Sequence, residues 1–244
     1  MVATNSPFRS VLLDVEGTTS PISFVYGTLF PYARERLGPF LKECSSDPTV
    51  TSSLRELRSA NCTDVPAGAP AITGQDLIRE ATEYLLWLMD HDRKTPPLKA
   101  LQGLIWERGF QHGELQSEVF ADVPVCLLQW QQAGLRTAIY SSGSVLAQKM
   151  LFAHTPYGDL TKLISDYFDT AVGPKKRPQS YRRIVAELQV AAEQVVFVSD
   201  IAEELEAART AGLCTALSIR PGNQAQNSAE KYRAIHSLTE LFDS

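Results

Sequence analysis

The chain has 244 residues, 44% of them hydrophobic and 21% charged, with a formal net charge of −5 and a pI near 5.4. That size and balance suit one large globular domain, or a core carrying an inserted smaller one. The acidic surplus argues against nucleic acid as a partner, since such a partner calls for a basic face. No apolar run reaches the roughly 18–20 residues of a membrane span. The opening MVATNSPFRS has no secretory core, so a cytoplasmic protein with no membrane partner is expected. Cys44, Cys62, Cys126 and Cys214 show no C-x-x-C spacing, and His91, His112, His154 and His236 form no H-x-x-x-H or H-x-H pair. Reduced packing cysteines and no histidine-based metal site are the expectation.

The first element is the apolar run Val11-Leu12-Leu13, which stops at Asp14-Val15-Glu16-Gly17-Thr18-Thr19. It reads as a buried strand ending in a carboxylate. Phe24 to Phe40 follows with apolar residues three and four apart, an amphipathic helix with Pro31 near its start. From Cys44 to Gly74 the chain reads as polar and turn-rich. Leu77 to Met89 is the strongest helix, begun at Asp76, and Leu98 to Trp106 is another.

Past Pro124 strands and helices alternate. Helices are predicted over Val125–Gln132, Val145–Phe152, Pro178–Leu188 and Glu203–Ala211, with a last one from Ala229 to Phe242. Strands are predicted at Arg136–Tyr140, Val195–Val198 and Cys214–Ile219. The fold class is therefore α/β, a doubly wound parallel sheet with a helical insert after the first strand. Residues 1–23 and 121–244 would form the core, and 24–120 the insert.

Three predicted strands end in chemically useful residues: Asp14, Ser141-Ser142, and Ser199-Asp200. In a parallel sheet those ends share one edge, where α/β proteins bind ligands. Asp14, Glu16 and Asp200 meeting there repel by roughly 4 kcal/mol per pair at about 4 Å and an effective dielectric near 20. A cation is needed. Oxygen ligands suit Mg²⁺, and the loop Gly173-Pro174-Lys175-Lys176-Arg177-Pro178 offers a phosphate clamp. Ser141 and the turn after it can hold phosphoryl oxygens. For Glu203 and Glu204 the simpler reading is dipole complementation in a first helical turn. Arg182, Arg183 and Arg220 read as solvated surface, and Tyr84, Trp87 and Trp106 as packing. No G-x-S-x-G, Walker A or G-x-G-x-x-G motif occurs, which argues against a serine hydrolase or a nucleotide-binding loop.

The set Asp14-x-Glu16-Gly17-Thr18, Ser141, Lys175 and Asp200 resembles the haloacid-dehalogenase-like phosphohydrolases. That superfamily usually reads D-x-D-G-T. Glu16 in the second acidic place is a departure shared with the enolase-phosphatase branch, which residues 92–96, 101–106, 139–144 and 167–170 also resemble. The resemblance covers nearly the whole chain and is weakest over 45–75.

The resemblance implies roles residue by residue. Asp14 would be the nucleophile, forming an aspartyl-phosphate, and a Mg²⁺ ligand. Glu16 would hold Mg²⁺ through its backbone carbonyl and carry protons on its side chain. Ser141 and Ser142 would bind the phosphoryl group. Lys175, placed by the spacing Lys175-x-x-Pro178-x-x-Tyr181, would neutralise nucleophile and phosphate. Asp200 would complete a site for one Mg²⁺ per subunit, with Glu204 behind it. The insert would be a cap that excludes water. The implied reaction is enolisation, then dephosphorylation, of 2,3-diketo-5-methylthiopentyl-1-phosphate to an acireductone in methionine salvage, by a monomer. A generic sugar- or metabolite-phosphate phosphatase is the nearest alternative. A metal-free dehalogenase and a non-catalytic phosphoprotein-binding module are the more distant ones.

Overall fold

The run Ser10–Leu13 forms β1 with all four residues buried, as a strand covered on both faces requires. The computed structural model describes residues 7–63, 66–226 and 229–242. The chain divides into two compact units, one comprising Met1–Tyr26 and Gln116–Ser244, the other Gly27–Leu115. After β1 come α1 (Ile22–Phe24), a π-helical turn (Val25–Leu29), α2 (Phe30–Glu43), α3 (Pro48–Thr63), α4 (Leu77–Asp90) and α5 (Pro96–Gln111). Then follow α6 (Asp122–Gln132), β2 (Arg136–Tyr140), α7 (Val145–Ala153), β3 (Asp166–Phe168) and α8 (Pro178–Leu188). The chain continues through β4 (Val195–Ser199), α9 (Ala202–Thr210), β5 (Cys214–Ser218) and β6 (Arg233–Ile235). Among the described residues no helix is long and apolar enough to cross a membrane.

The six strands form one parallel sheet in the order β3-β2-β1-β4-β5-β6. Side chains alternate across it. Leu12, Ala138, Tyr140, Phe197 and Leu217 face Tyr181, Ile184 and Leu188 of α8 and Leu205 and Ala208 of α9 in one buried cluster. α8 presents those three residues at helical spacing and stops where Gln189 turns left-handed (φ 57°). β1 lies between β2 and β4, with Leu13 opposite Ile139 on one side and Val198 on the other. Asp14, next in the chain, emerges between the carboxyl ends of both neighbours. This strand order reverses direction at β1, where such sheets open a crevice.

The second unit is wholly helical among its described residues. Leu37, Leu41, Leu54, Leu57, Leu85, Leu88, Leu101 and Ile105 are all buried. Asp76 caps α4 through Arg79 N (3.3 Å), while Glu80 reaches back to Thr73 Oγ1 (2.6 Å) and Gly74 N (2.7 Å). The Asp76 contact satisfies a donor that a helix start leaves unpaired, and the Glu80 contacts tie the preceding loop to the helix. Trp106 and Tyr84 are buried, and Trp106 Nε1 donates to Leu29 O (2.7 Å).

Three sequence expectations are corrected. Residues expected to be turn-rich form α3, sixteen residues long, whose buried Asn61 holds the following loop at Pro70 O (2.9 Å) and Ile72 N (2.7 Å). The last helix is replaced by a 3₁₀ turn (Ala229–Lys231), β6 and a second 3₁₀ turn (Leu238–Phe242). Arg220 is 8% exposed rather than solvated. Its guanidinium donates to Asp122 Oδ2 (2.8 Å), His236 O (2.9 Å) and Thr18 O (3.3 Å), and lies over the Phe120 ring. Asp122 Oδ2 also accepts from Ser237 Oγ and Leu238 N, so the pair locks the start of α6 to the C-terminal segment.

Breaking a buried, multiply bonded charge pair leaves its partner uncompensated. Arg220→Gln is therefore expected to lower unfolding free energy by about 3 kcal/mol. Arg34→Gln, at the exposed pair Arg34–Asp90, should cost under about 1 kcal/mol. Denaturant titration of both variants measures the contrast.

Candidate active site

Parallel pairing sets the site. Asp14 N donates to Val198 O (3.0 Å), continuing the β1–β4 ladder one residue past the strand. Asp14 Oδ1 accepts from Val15 N (2.7 Å) and Lys175 Nζ (2.6 Å), and Oδ2 has a longer contact from Ser199 Oγ (3.4 Å). Lys175 bridges onward to Glu204 Oε2 (2.7 Å), which Ser199 Oγ also reaches (2.9 Å). Asp14, Asp200 and Glu204 are each under 10% exposed.

Lys175 arrives from the loop between β3 and α8, and two aromatic hydroxyls fix that loop. Tyr140 Oη donates to Gly173 O (2.8 Å), and Tyr181 Oη to Lys175 O (2.7 Å). Lys176, one residue on, pairs with the exposed Glu203 (3.0 Å). The same split divides Glu203 from Glu204. One complements a helix start in solvent, while the other is buried against the lysine.

The loop after Asp14 turns at Gly17, with φ +72°. A β-carbon there would lie 2.5 Å from Asp200 Oδ2 and 2.8 Å from Asn223 Oδ1. Glycine is needed both for the turn and for the close approach of a carboxylate. Glu16 is partly buried, and its backbone bridges to Ser20. Ser141 is buried at the end of β2, its Oγ accepting from Gly143 N (3.1 Å). Gln148 Nε2 braces the same turn at Gly143 O and Phe168 O (both 2.9 Å). Ser142 stands next to Ser141 and is partly buried. The two serines share the sheet edge with Asp14 through strand register rather than through a described hydrogen bond.

Three buried carboxylates face one ammonium. Burial works against the Lys175 charge, yet its ion pairs with Asp14 and Glu204 outweigh this and hold its pKa above the ordinary value. Glu204 is raised by burial and by Asp14, with Lys175 opposing. Asp200 is pushed up to about 7, by burial first and then by Asp14 and Glu204, with Lys175 opposing. The formal surplus of two negative charges, on hard oxygen donors, fits a divalent cation such as Mg²⁺. Among the described residues no three Asp, Glu, His or Cys side chains form a ready-made metal cluster. The groups that could hold such an ion are Asp14 and Asp200 with backbone oxygen and water, the incomplete protein shell that Mg²⁺ ordinarily accepts.

A family model described as haloacid dehalogenase-like hydrolase matches residues 8–212. The chain belongs to the haloacid dehalogenase-like hydrolases. Within that family it is 49% identical to enolase-phosphatase E1 of Synechococcus elongatus, over 95% of this chain and 97% of that one. It is 46% identical to enolase-phosphatase E1 of Synechococcus sp., covering 97% and 95% of the two chains. Among solved structures it is similar to the UTR4 protein of Saccharomyces cerevisiae, with a TM-score of 0.77 at 33% identity, covering 94% of this chain and 98% of that one. The chain thus sits in the enolase-phosphatase E1 group of the hydrolase family.

Ser199 and Asn223 had no individual role assigned from sequence. A serine one place before the acid at a strand end was the available signal for Ser199. Asn223 carried none, because its importance lies in contacts with residues 206 positions away.

An unfolded Asp titrates near 3.9, and Asp200 in the folded, metal-free chain near 7. The folded state therefore holds a proton that the unfolded state has lost in this window. That contribution to stability is complete below about pH 4 and disappears as pH rises through 7. Binding Mg²⁺ to the ionised carboxylate expels this proton. Calorimetry in buffers of different ionisation enthalpy should find proton release at pH 6 and nearly none at pH 8.

Proposed function

We propose that the chain is a Mg²⁺-dependent enolase-phosphatase that converts 2,3-diketo-5-methylthiopentyl-1-phosphate to its acireductone. One observation carries the chemistry: the Asp14–Lys175 pair, at 2.6 Å and buried at the crevice edge of the sheet, beside a second acid raised to about 7. The substrate is the one that the resemblance to the enolase-phosphatases implies, and relatives of that name, 46–49% identical over about 95% of the chain, support it. In this reading the protein works as a monomer in the cytoplasm on a small phosphorylated diketone, with neither nucleic acid nor membrane as a partner.

Asp14 Oδ1 is held by Val15 N and Lys175, which leaves Oδ2 to attack phosphorus. The Asp14 Oδ2–P bond forms as the ester P–O bond breaks, and the enol oxygen departs with the electron pair. Water then attacks the aspartyl-phosphate, releasing inorganic phosphate and restoring the carboxylate. Lys175 offsets the charge of nucleophile and incoming phosphate together. Ser141 and the backbone of Ser142 hold phosphoryl oxygens. Glu16 takes the proton from the carbon bearing the phosphate ester, its side chain being one methylene longer than the aspartate usual at that place. Asp14, Asp200 and the Glu16 carbonyl are the groups that would hold Mg²⁺, with Glu204 steadying Lys175 behind them. When bound, the ion supplies Lewis acidity to oxygens that gain negative charge in either step. The helical unit is assigned the cap's role of recognising the methylthio end.

Phosphate release from the diketone, compared with release from common sugar phosphates, tests the reading. A strong preference for the diketone is expected, whereas equal rates would indicate a general metabolite phosphatase. Chelation should abolish turnover and Mg²⁺ restore it; turnover that survives chelation points to metal-free chemistry. Asp14→Asn is expected to lower phosphate release by about 10⁴-fold or more. Glu16→Gln should slow enol formation, followed by absorbance, by at least about 100-fold.

A further inference from the structure

The loop after β5 brings an uncharged side chain to the acidic edge. Asn223 Nδ2 donates to Gly17 O (2.9 Å) and to Ser218 O (3.2 Å). Both acceptors are carbonyl oxygens, so the amide orientation follows from the bonding itself: the nitrogen must face them. Oδ1 is then turned the other way. That oxygen is shielded from solvent and accepts no hydrogen bond among the described residues.

Its surroundings are specific. The position of a β-carbon on Gly17 lies 2.8 Å from Asn223 Oδ1 and 2.5 Å from Asp200 Oδ2. The two oxygens are consequently no farther apart than two ordinary O–H···O hydrogen-bond lengths. Both are acceptors once Asp200 is ionised, and among the described residues no donor reaches Asn223 Oδ1. A hydrated Mg²⁺ brings such donors, because the ion keeps several of its waters when proteins bind it. A water on that ion has two protons to place, and the site presents two acceptors.

We infer that Asn223 is a positioning residue for the cation, with Nδ2 fixing the Gly17 carbonyl and Oδ1 accepting from a water of the hydrated ion. The inference rests on the reading above that this edge binds Mg²⁺, and it adds a residue from outside the acidic set. Ser218 provides an internal contrast. Its Oγ also donates to Gly17 O (3.2 Å), so it helps to clamp the same carbonyl but offers nothing to the orphaned Oδ1.

The test is Mg²⁺ titration by calorimetry on the full chain at pH 8, with melting in chelator measured alongside. Groups behind a metal's direct ligands commonly change affinity by 10–100-fold when removed. Asn223→Ala is expected to weaken Mg²⁺ binding by about tenfold or more. Asn223→Leu, which retains the volume without the acceptor, should do the same and serves if the alanine variant does not fold. Ser218→Ala should leave the dissociation constant within about twofold. Wild-type affinity in either folded Asn223 variant overturns the inference. An equal loss in Ser218→Ala also overturns it, because clamping the carbonyl would then account for the effect. A wild-type chain that takes up no Mg²⁺ removes the cation site itself, which marks failure of the underlying reading instead.

Discussion

One ammonium among three buried carboxylates is the constraint on which the site depends. Lys175 touches Asp14 and Glu204 directly, and Asp200 lies close enough for both acids to raise its pKa. Placing like charges together in a poorly solvated space is costly unless compensation is also built in. The fold supplies part of it through Lys175, Ser199 Oγ and the Val15 N–H. The remainder fits a dissociable ion. A cation at this edge would offset the repulsion that Lys175 leaves.

Rigid surroundings keep this arrangement from relaxing. Asp14 is pinned through its own backbone to β4, and the lysine loop is tied at two carbonyls by the hydroxyls of Tyr140 and Tyr181. Both tyrosine rings lie in the main core and pack edge-to-face on each other. The same side chains therefore bury apolar surface and hold the backbone of the lysine loop. On the other side of the nucleophile loop, Arg220 holds Thr18 O while Asn223 and Ser218 hold Gly17 O. Asp14 thus has little room to retreat from the other acids.

Legibility in the sequence tracked burial and locality. The continuous apolar strands at residues 10–13 and 195–199 and the amphipathic helices were readable because their partners lie on both faces or at helical spacing. β6, Arg233–Ile235, buries a single residue, so no apolar run announced it. α3 carries buried Ser53 and Asn61 in its packed face, which gave it the look of a loop. Asp14 and Asp200 could be read because carboxylates at strand ends are chemically unusual, whereas Lys175, in a loop, could be singled out only by its resemblance to the family's lysine-loop spacing. Arg220 could not, since its burial depends on Asp122, 98 positions earlier. Asn223 was hidden for the same reason.

The strand that leads into Asp14 has another consequence, for biosynthesis. β1 is flanked by β2 and β4, whose paired residues begin at Arg136 and Val195. At ordinary elongation rates its second neighbour is translated on the order of ten seconds or more after β1 itself. Through that interval Val11, Leu12 and Leu13 lack one or both of their neighbours, while the helices of residues 27–115 find their partners within one uninterrupted stretch of chain. The nascent chain therefore exposes this apolar tripeptide until its sheet neighbours follow, a natural place for a chaperone to bind.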